Sequence, residues 1–220
     1  YVIIVGILGI LLLAQSDTDT LVVIATTGLI MLFIAGGRIR HIAILCLIML
    51  GLLGGLIYLR PYVRQRIMTF ISGAGSDSQG AGYQIQQSLI AIGSGQIVGR
   101  GFGQSIQKFN YLPEPIGDSI FAVSAEEFGF IGSMVLIGLF LLFFIRSMKI
   151  SVKVLDPFGG LTAIGIAILI LIESFMNISS MLGLIPLSGM PLLFVSHGGT
   201  ALIITLAATG IIANISKYQS

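Results

Sequence analysis

Long apolar runs constrain the fold of this sequence more than any other feature. A helix needs about 20 mostly apolar residues to cross the roughly 30 Å hydrocarbon core of a bilayer. Six runs reach or approach that length, at residues 1–14, 20–35, 41–59, 119–145, 159–184 and 200–215. They are apolar all round, which is typical of helices surrounded by lipid or by other helices. We therefore predict an all-α polytopic membrane protein with about six transmembrane helices.

The composition excludes the other broad classes. Charged residues make up 9% of the chain and hydrophobic residues 55%, whereas soluble domains have about 25% charged residues. A disordered chain would be poor in apolar residues and rich in charge. The formal net charge of +2 gives no indication of nucleic-acid binding. Tyr1 lies within an apolar run without a basic segment before it, so we expect a piece of a longer chain and not a signal peptide.

Positive charge in the connecting segments predicts the orientation in the membrane. Six basic residues fall in the connections 36–40 and 146–158 and in the C-terminal tail, and the short connections on the opposite side have none. The positive-inside rule makes the basic connections cytoplasmic. Residues 60–118 then form one long extracytoplasmic loop within a single transmembrane domain at 1–220. Three arginines at the start of this loop run against the rule, which gives long loops less weight.

The long loop holds most of the candidate functional residues, as loops of this length usually do. After a Gly/Ser-rich stretch at 73–82, the apolar spacing of residues 83–92 predicts a short amphipathic helix at the membrane surface. The glycines at 99, 101 and 103 are typical of a turn with positive φ. An alternative is a backbone nest for a lipid-linked phosphate, beside Arg100 and Lys108. Asp118 lies where the loop enters the next helix, which fits an N-cap as well as a functional carboxylate.

Four polar residues lie inside predicted spans, where ionisable groups are costly and usually functional or paired. Glu126 and Glu127 are adjacent and about 100° apart on a helix, so we expect them to face different partners. Glu173 and Asn177 are four residues apart and share one helix face. They could form a buried polar clamp between helices, or they could line a substrate cavity or proton path. No metal-ligand pattern is readable, because His41 and His197 stand alone.

Several motifs together resemble the SEDS family (shape, elongation, division, sporulation), and within it the FtsW/SpoVE branch more than RodA. The matching stretches are 83–88 (YQIQQS), 99–105 (GRGFGQS), 111–114 (YLPE), 118–123 (DSIFAV), 125–129 (AEEFG) and 183–189 (GLIPLSG). Such a run of matches in the same order is highly specific. It covers essentially the whole chain, but only the later part of a family member, which has about ten spans.

The resemblance implies a peptidoglycan glycosyltransferase of the bacterial cytoplasmic membrane that acts in cell division or cell-shape synthesis. The family's catalytic aspartate maps to Asp118, and its preceding Pro-Glu motif maps to Glu114. Two further family segments map to residues 15–17 and 191–199. Here Ser16 replaces the usual proline and His197 the usual tyrosine, while Thr200 and Ala201 replace a pair of serines. Ser188 stands where some division proteins have a lysine.

By this resemblance the substrate is lipid II, an undecaprenyl-pyrophosphate-linked disaccharide peptide, and Asp118 is the general base that activates the acceptor sugar hydroxyl. The predicted substrate-binding residues are Glu114, Arg100, Lys108, Gln84, Gln87 and Ser105. Arg100 and Lys108 are candidates to offset the charge of the leaving pyrophosphate, as a divalent cation (Mg or Mn) could also do.

The partners that the resemblance implies are a class B penicillin-binding transpeptidase, other divisome or elongasome membrane proteins, and membrane lipid. Two other function classes stay open from the residues themselves. The intramembrane acids would suit a lipid flippase, although no pair of broken, inverted-repeat helices is visible. A non-catalytic scaffold that recruits the transpeptidase is the third possibility.

Overall fold

The computed structural model describes residues 2–73, 80–109 and 111–218, and its regular elements there are helices. The eight α-helices are α1 (Val2–Ala14), α2 (Thr18–Ile34), α3 (Ile39–Leu59), α4 (Pro61–Ser72), α5 (Ala81–Ser94), α6 (Ile120–Lys153), α7 (Pro157–Met181) and α8 (Gly199–Ile215). A 3-10 turn, Ser216–Tyr218, follows α8. The prediction of an all-α polytopic membrane protein is confirmed.

Each of the six apolar runs forms a helix, but the runs differ in length. In the described residues, α3, α6, α7 and the segment Gly199–Tyr218 are long and apolar enough to cross a membrane. Helices α1 and α2 have 13 and 17 residues. At about 1.5 Å per residue, α1 is shorter than a bilayer core. Four of the six predicted spans therefore meet the length criterion, and two are shorter apolar helices.

The helix ends follow from local sequence chemistry. Asp17 caps α2, because its Oδ1 accepts a hydrogen bond from Thr20 N at 3.0 Å. Asp156 does the same for α7, where its Oδ2 accepts from Gly159 N at 2.8 Å. Pro61 occupies the first turn of α4, where its missing N–H costs nothing. These caps fix where the apolar segments begin.

The chain forms two compact units, one of residues 1–59, 143–172 and 204–220 and the other of residues 60–142 and 173–203. In the first unit, small residues allow close packing, since Ala163 and Ala167 lie against Ile212 in a buried cluster. In the second unit, a buried cluster joins α5 to the start of α6 and the loop between them. Its members are Ala91, Leu112, Ala122 and Val123.

The long connection 60–118 is more ordered than the sequence suggested. Its predicted helix is present as α5, with Ile85, Ser88 and Ala91 buried. Helix α4 was not predicted, because two arginines and a glutamine obscured its apolar residues. Most of the Gly/Ser-rich stretch 73–82 lies outside the described residues. The location of α5 at a membrane surface stays a prediction.

Helix α6 is broken at Gly129, which has φ 67° and ψ −163°, a break that the apolar run at 119–145 did not indicate. The break frees backbone groups, and a neighbouring loop segment bonds to them. Glu126 O and Glu127 O accept from Arg100 N (3.0 Å) and Gly101 N (2.9 Å). Phe130 N and Ile131 N donate to the carbonyls of residues 96 and 97, at 2.8 and 3.1 Å. Irregular backbone within a span is tolerated when protein groups satisfy it in this way.

Glycines make this close approach possible. A Cβ atom on Gly129 would come within 2.3 Å of Gly99 N, and a Cβ atom on Gly99 would come within 2.1 Å of Glu127 O. Gly99 also has a positive φ of 82°. Any larger residue at these positions would therefore push the loop away from the helix.

We expect Gly129→Ala to destabilise the protein by at least about 2 kcal/mol. This combination of φ and ψ is essentially restricted to glycine and costs other residues about 1–3 kcal/mol, and the backbone overlap adds to this cost. Gly138→Ala is the matched control on the same helix, because nothing lies within 4 Å of its Cβ position. Thermal unfolding in detergent measures both variants. Equal melting temperatures for the two would contradict the packing described here.

Candidate functional site

Asp118 lies at the end of a tight turn that leads into α6. Glu114 has a positive φ of 45°, and its carbonyl accepts from Gly117 N and Ser119 N, both at 3.1 Å. Ser119 directly precedes the helix, and its carbonyl accepts from Ala122 N at 3.0 Å. In the described part of the chain no backbone N–H of the helix donates to the Asp118 carboxylate. Ser119 therefore occupies the N-cap position of α6. The Asp118 carboxylate is not used for capping and can contact another group.

Asn177 on α7 holds the backbone at Asp118. Its Nδ2 donates to Asp118 O at 2.7 Å and to Met190 O at 2.6 Å. Asn177 is fully buried, and its Oδ1 has no hydrogen-bond partner among the described residues. Asn177 is thus a buried polar clamp, but it joins the turn before α6 to the loop before α8 and not one helix to another. Glu173 lies one helical turn earlier and is half-buried.

Two serines and a glutamine complete the support of this turn. Ser196 Oγ donates to Gly117 O at 2.8 Å and accepts from Leu192 N at 2.7 Å. Gln84 on α5 donates through Nε2 to Ser119 Oγ at 3.0 Å, and Ser119 Oγ donates to Pro113 O at 2.8 Å. Sequence reasoning missed Ser119 and Ser196, although both lie within motifs that it singled out.

Two charged groups and burial set the electrostatics at Asp118. Desolvation by burial raises the pKa of the Asp118 carboxyl, the charge of Glu114 raises that pKa further, and the charge of Arg66 opposes both. Glu114 is exposed and Arg66 is half-buried. Arg66 lies on α4, and sequence reasoning did not select it, because nothing distinguishes it from Arg60 and Arg64.

Glu126 and Glu127 both bind the loop 99–108. Ser105 Oγ donates to Glu126 Oε2 at 2.6 Å, while Ser105 N donates to Glu127 Oε1 at 3.4 Å. Both carboxylates thus reach Ser105, which the spacing of about 100° did not predict, although their ion pairs are with different residues. The backbone near them turns at the break in α6, and the loop wraps around both side chains.

Arg100 and Lys108 form ion pairs with these two acids. Arg100 Nε lies 3.4 Å from Glu126 Oε1, and Lys108 Nζ lies 2.7 Å from Glu127 Oε1. Both acids are almost fully buried, so the pairs offset the cost of burying their charge. The glycines at 99, 101 and 103 all have positive φ, as the turn interpretation predicted.

The predicted site residues thus fall into two groups. Gln84, Glu114 and Asp118 come together at the entrance of α6, and Asn177 supports them. The second group surrounds the break in α6 and consists of Arg100, Ser105, Lys108, Glu126 and Glu127. Gln87 lies half-buried on α5, one turn after Gln84. His197 contributes its backbone N–H, which donates to Ile116 O at 2.8 Å.

A divalent cation would need several oxygen ligands. Within the described ranges, no group of three or more His, Cys, Asp and Glu side chains lies together. Asp118 and Glu114 are two carboxylates that influence each other's charge. These residues by themselves do not build a metal site.

The fold and the site together define a polytopic membrane protein. At the entrance of one membrane-spanning helix it has a carboxylate residue, Asp118, whose backbone is held by Asn177. The family model described as "Cell cycle protein", which covers FtsW, RodA and SpoVE, matches residues 1–220. The chain belongs to this family, which confirms the resemblance found in its motifs.

Curated relatives support the same assignment. The chain is 41% identical over 210 residues to "Stage V sporulation protein E" of Bacillus subtilis (strain 168), covering 96% of this chain and 57% of the relative. It is 38% identical over 216 residues to "Probable peptidoglycan glycosyltransferase FtsW" of Geobacter sp. (strain M18), covering 98% and 59%. A protein of the same name from Idiomarina loihiensis (strain ATCC BAA-735 / DSM 15497 / L2-TR) is 42% identical over 219 residues, covering 97% and 53%. The chain therefore spans less than two thirds of these relatives' length.

A solved structure shares the fold. Its TM-score is 0.75 at 24% sequence identity, and the match covers 98% of this chain and 59% of that one. That structure concerns "structural coordination of polymerization and crosslinking by a peptidoglycan synthase complex".

We expect Asn177→Leu to destabilise the protein by several kcal/mol, because it leaves the carbonyls of Asp118 and Met190 without a donor. Each buried unsatisfied group costs about 1–3 kcal/mol. Asn214→Leu is the control, since Asn214 is exposed on α8 and surface changes are usually within about 0.5 kcal/mol. Hydrogen exchange at residues 116–119, together with thermal unfolding, measures the effect. Unchanged protection in Asn177→Leu would show that the clamp does not hold the turn.

Proposed function

We propose that this chain is part of a peptidoglycan glycosyltransferase that polymerises lipid II at the outer face of the bacterial cytoplasmic membrane. The observation that carries the proposal is the Asp118 carboxylate, which is held at the entrance of α6 by backbone contacts and receives no hydrogen bond from the described residues. The names of its relatives, probable peptidoglycan glycosyltransferases, support this reaction class.

Asp118 acts as the general base in this proposal. It takes the proton from the acceptor sugar 4-hydroxyl, whose oxygen attacks the anomeric carbon of the donor. The bond between that carbon and the phosphate oxygen breaks, and the lipid pyrophosphate leaves with the bonding electrons. A general base works best when its pKa lies near the working pH. The raised pKa of Asp118 shifts the carboxyl in this direction.

The surrounding side chains would form the substrate-binding surface. Glu114 is exposed near Asp118, Gln84 on α5 bonds to Ser119 beside it, and Gln87 follows one helical turn later. Arg100, Ser105 and Lys108 would contribute through the loop around the break in α6. The Arg100 side chain is 39% exposed, so it can contact a substrate phosphate while it pairs with Glu126.

The family and the charge distribution support a location and a set of partners for this chain. The connections 36–40 and 146–158 would face the cytoplasm, and residues 60–118 would form an extracytoplasmic loop within one transmembrane domain. The fold is shared with a chain of a peptidoglycan synthase complex, which supports a class B penicillin-binding transpeptidase as the partner. Other divisome or elongasome proteins would join the same assembly.

We expect Asp118→Asn to reduce polymerisation at least about 100-fold, because a side-chain amide cannot act as a general base. The intact protein, purified with its transpeptidase, is given labelled lipid II, and glycan ladders are read on gels. Asn177 and Ser119 are unchanged in this variant, so the fold is expected to persist. Full ladders from Asp118→Asn would rule out the general base.

The same preparation separates the other function classes. Transbilayer movement of lipid II without any polymer would indicate a flippase. Neither polymer nor movement, with the transpeptidase still bound, would indicate a scaffold.

The charge of Glu114 predicts a pH effect. Because this charge raises the pKa of Asp118, Glu114→Gln should lower that pKa. The general base would then stay deprotonated to lower pH, and the acidic limb of the polymerisation rate would move to lower pH. A profile of kcat against pH for wild type and Glu114→Gln measures the shift. A limb that moves to higher pH would contradict the assigned coupling.

A further inference from the structure

The ends of three helices meet at one place in the first unit, far along the chain from Asp118. The C-terminal end of α6, the start of α7 and the C-terminal end of α8 approach each other at Gly159. A Cβ atom on this glycine would lie 3.5 Å from Val154 Cγ1 and 3.8 Å from Ile215 Cγ2. Ser151 Oγ, near the end of α6, donates to Gly160 O at 2.8 Å. All three helices belong to segments that are long and apolar enough to cross a membrane, so these ends share one side of it.

A cleft of about 730 Å³ opens between these ends. This volume lies in the range of about 300–1,000 Å³ that is typical of small-ligand sites. The walls of the cleft are mostly apolar and come from the connection after α6 and from the end of α8: Val154, Leu155, Phe158, Ile211, Ile215 and Tyr218. Leu155 and Phe158 are strongly exposed to solvent. Tyr218 is exposed as well, and tyrosine is enriched where a bilayer meets water.

Positive charge exceeds negative charge at this end of the helices. Residues 146–162 and 203–218 include one acidic residue, Asp156, and four basic residues, Arg146, Lys149, Lys153 and Lys217. The Asp156 carboxylate accepts from the backbone N–H groups of residues 158 and 159, at 3.2 and 2.8 Å. It therefore lies at the start of α7, where the helix dipole offsets a negative charge. An anion that approaches the cleft is attracted by the remaining bases.

Lys149 and Lys217 lie close to the cleft in the fold. Lys149 directly precedes Ile150, and Lys217 comes two positions after Ile215. Both isoleucines pack against the same buried cluster of α7 and α8. The two lysines are exposed, and within the described residues neither forms an ion pair. Lys153 has an interaction within the protein, so Lys149 and Lys217 are the candidate contacts for an external anion.

We propose that this cleft binds an anionic phospholipid, with an acyl chain against the apolar walls and the headgroup phosphate bonded to Lys149 and Lys217. The cleft opens between membrane-spanning helices, where the surrounding bilayer supplies such a ligand. Basic pockets between spans recognise anionic headgroups in this way, and hydrogen bonds from an ammonium group to phosphate are charge-assisted. Lysine side chains also cover apolar surface with their stems while the charged end stays at headgroup level. The lipid site is independent of the glycosyltransferase reaction proposed above.

The first test compares two lipids that differ in headgroup charge. The intact protein in detergent is titrated with phosphatidylglycerol or with phosphatidylcholine of the same acyl chains, and native mass spectrometry measures the affinity for each. We expect wild type to prefer phosphatidylglycerol. Lys149→Gln combined with Lys217→Gln should weaken phosphatidylglycerol binding about 5- to 30-fold, because each base near a headgroup contributes a factor of about five. Binding of phosphatidylcholine should not change.

Arg38→Gln combined with Arg40→Gln is the matched control. This variant removes the same charge from the exposed connection between α2 and α3, which does not line the cleft. It should bind phosphatidylglycerol within twofold of wild type. An equal loss in both double variants would indicate diffuse attraction to positive charge and would overturn the site. Wild-type affinity in the double lysine variant, or no preference for phosphatidylglycerol in wild type, would overturn it too.

A further variant tests the apolar part of the site. Asn214 lines the cleft from the exposed surface of α8, so Asn214→Trp places a large ring there and leaves both lysines in place. We expect at least about a tenfold loss of phosphatidylglycerol binding, because exclusion of two CH₂ groups is enough for that. Glycerol phosphate, which lacks acyl chains, should not compete with the lipid at equal concentration. Undiminished binding in Asn214→Trp, or full competition by glycerol phosphate, would contradict an acyl chain in the cleft. The melting temperature of each variant identifies an unfolded protein, and the exposed lysine substitutions then carry the comparison.

Discussion

The need to satisfy backbone groups at the break in α6 organises the second unit of the chain. Carbonyls at Glu126 and Glu127 and amides after Gly129 would be costly if left without partners inside a membrane-spanning helix. The loop segment 96–101 supplies those partners, and Ser105 binds the two adjacent carboxylates. Backbone and side-chain bonds together thereby attach the long connection 60–118 to helix α6. The loop is a structural part of the helix bundle and not an appended segment.

The entrance of α6 is held by a second, smaller set of contacts. Asn177 joins Asp118 O to Met190 O, and Ser196 joins Gly117 to the loop before α8. All these bonds use backbone carbonyls or hydroxyl groups, so none of them uses the Asp118 carboxylate. The backbone of Asp118 is thus held in place, while its carboxylate takes no part in these contacts. This division of roles is typical of functional residues that are positioned by a supporting shell.

Periodicity and hydropathy were sufficient to predict all six apolar helices, and α5 followed from its amphipathic spacing. The motifs were sufficient to select Asp118, Gln84 and the acids of α6. The break at Gly129 could not be predicted, because a glycine in an apolar helix is common and only the approach of Gly99 makes this one necessary. Arg66 was missed for a similar reason, since its closeness to Asp118 is visible only at Gly189, which lies 123 positions along the chain in the same unit.

Charge at Asp118 is balanced by neighbours of opposite sign. Burial and Glu114 raise the pKa of its carboxyl, and Arg66 lowers it. In the proposed reaction the leaving diphosphate brings further negative charge towards a base that is gaining a proton. Without a cation, that charge would repel the ionised carboxylate when the donor binds and weaken substrate binding. The charge of Arg66, which lowers the pKa of this carboxyl, opposes that repulsion.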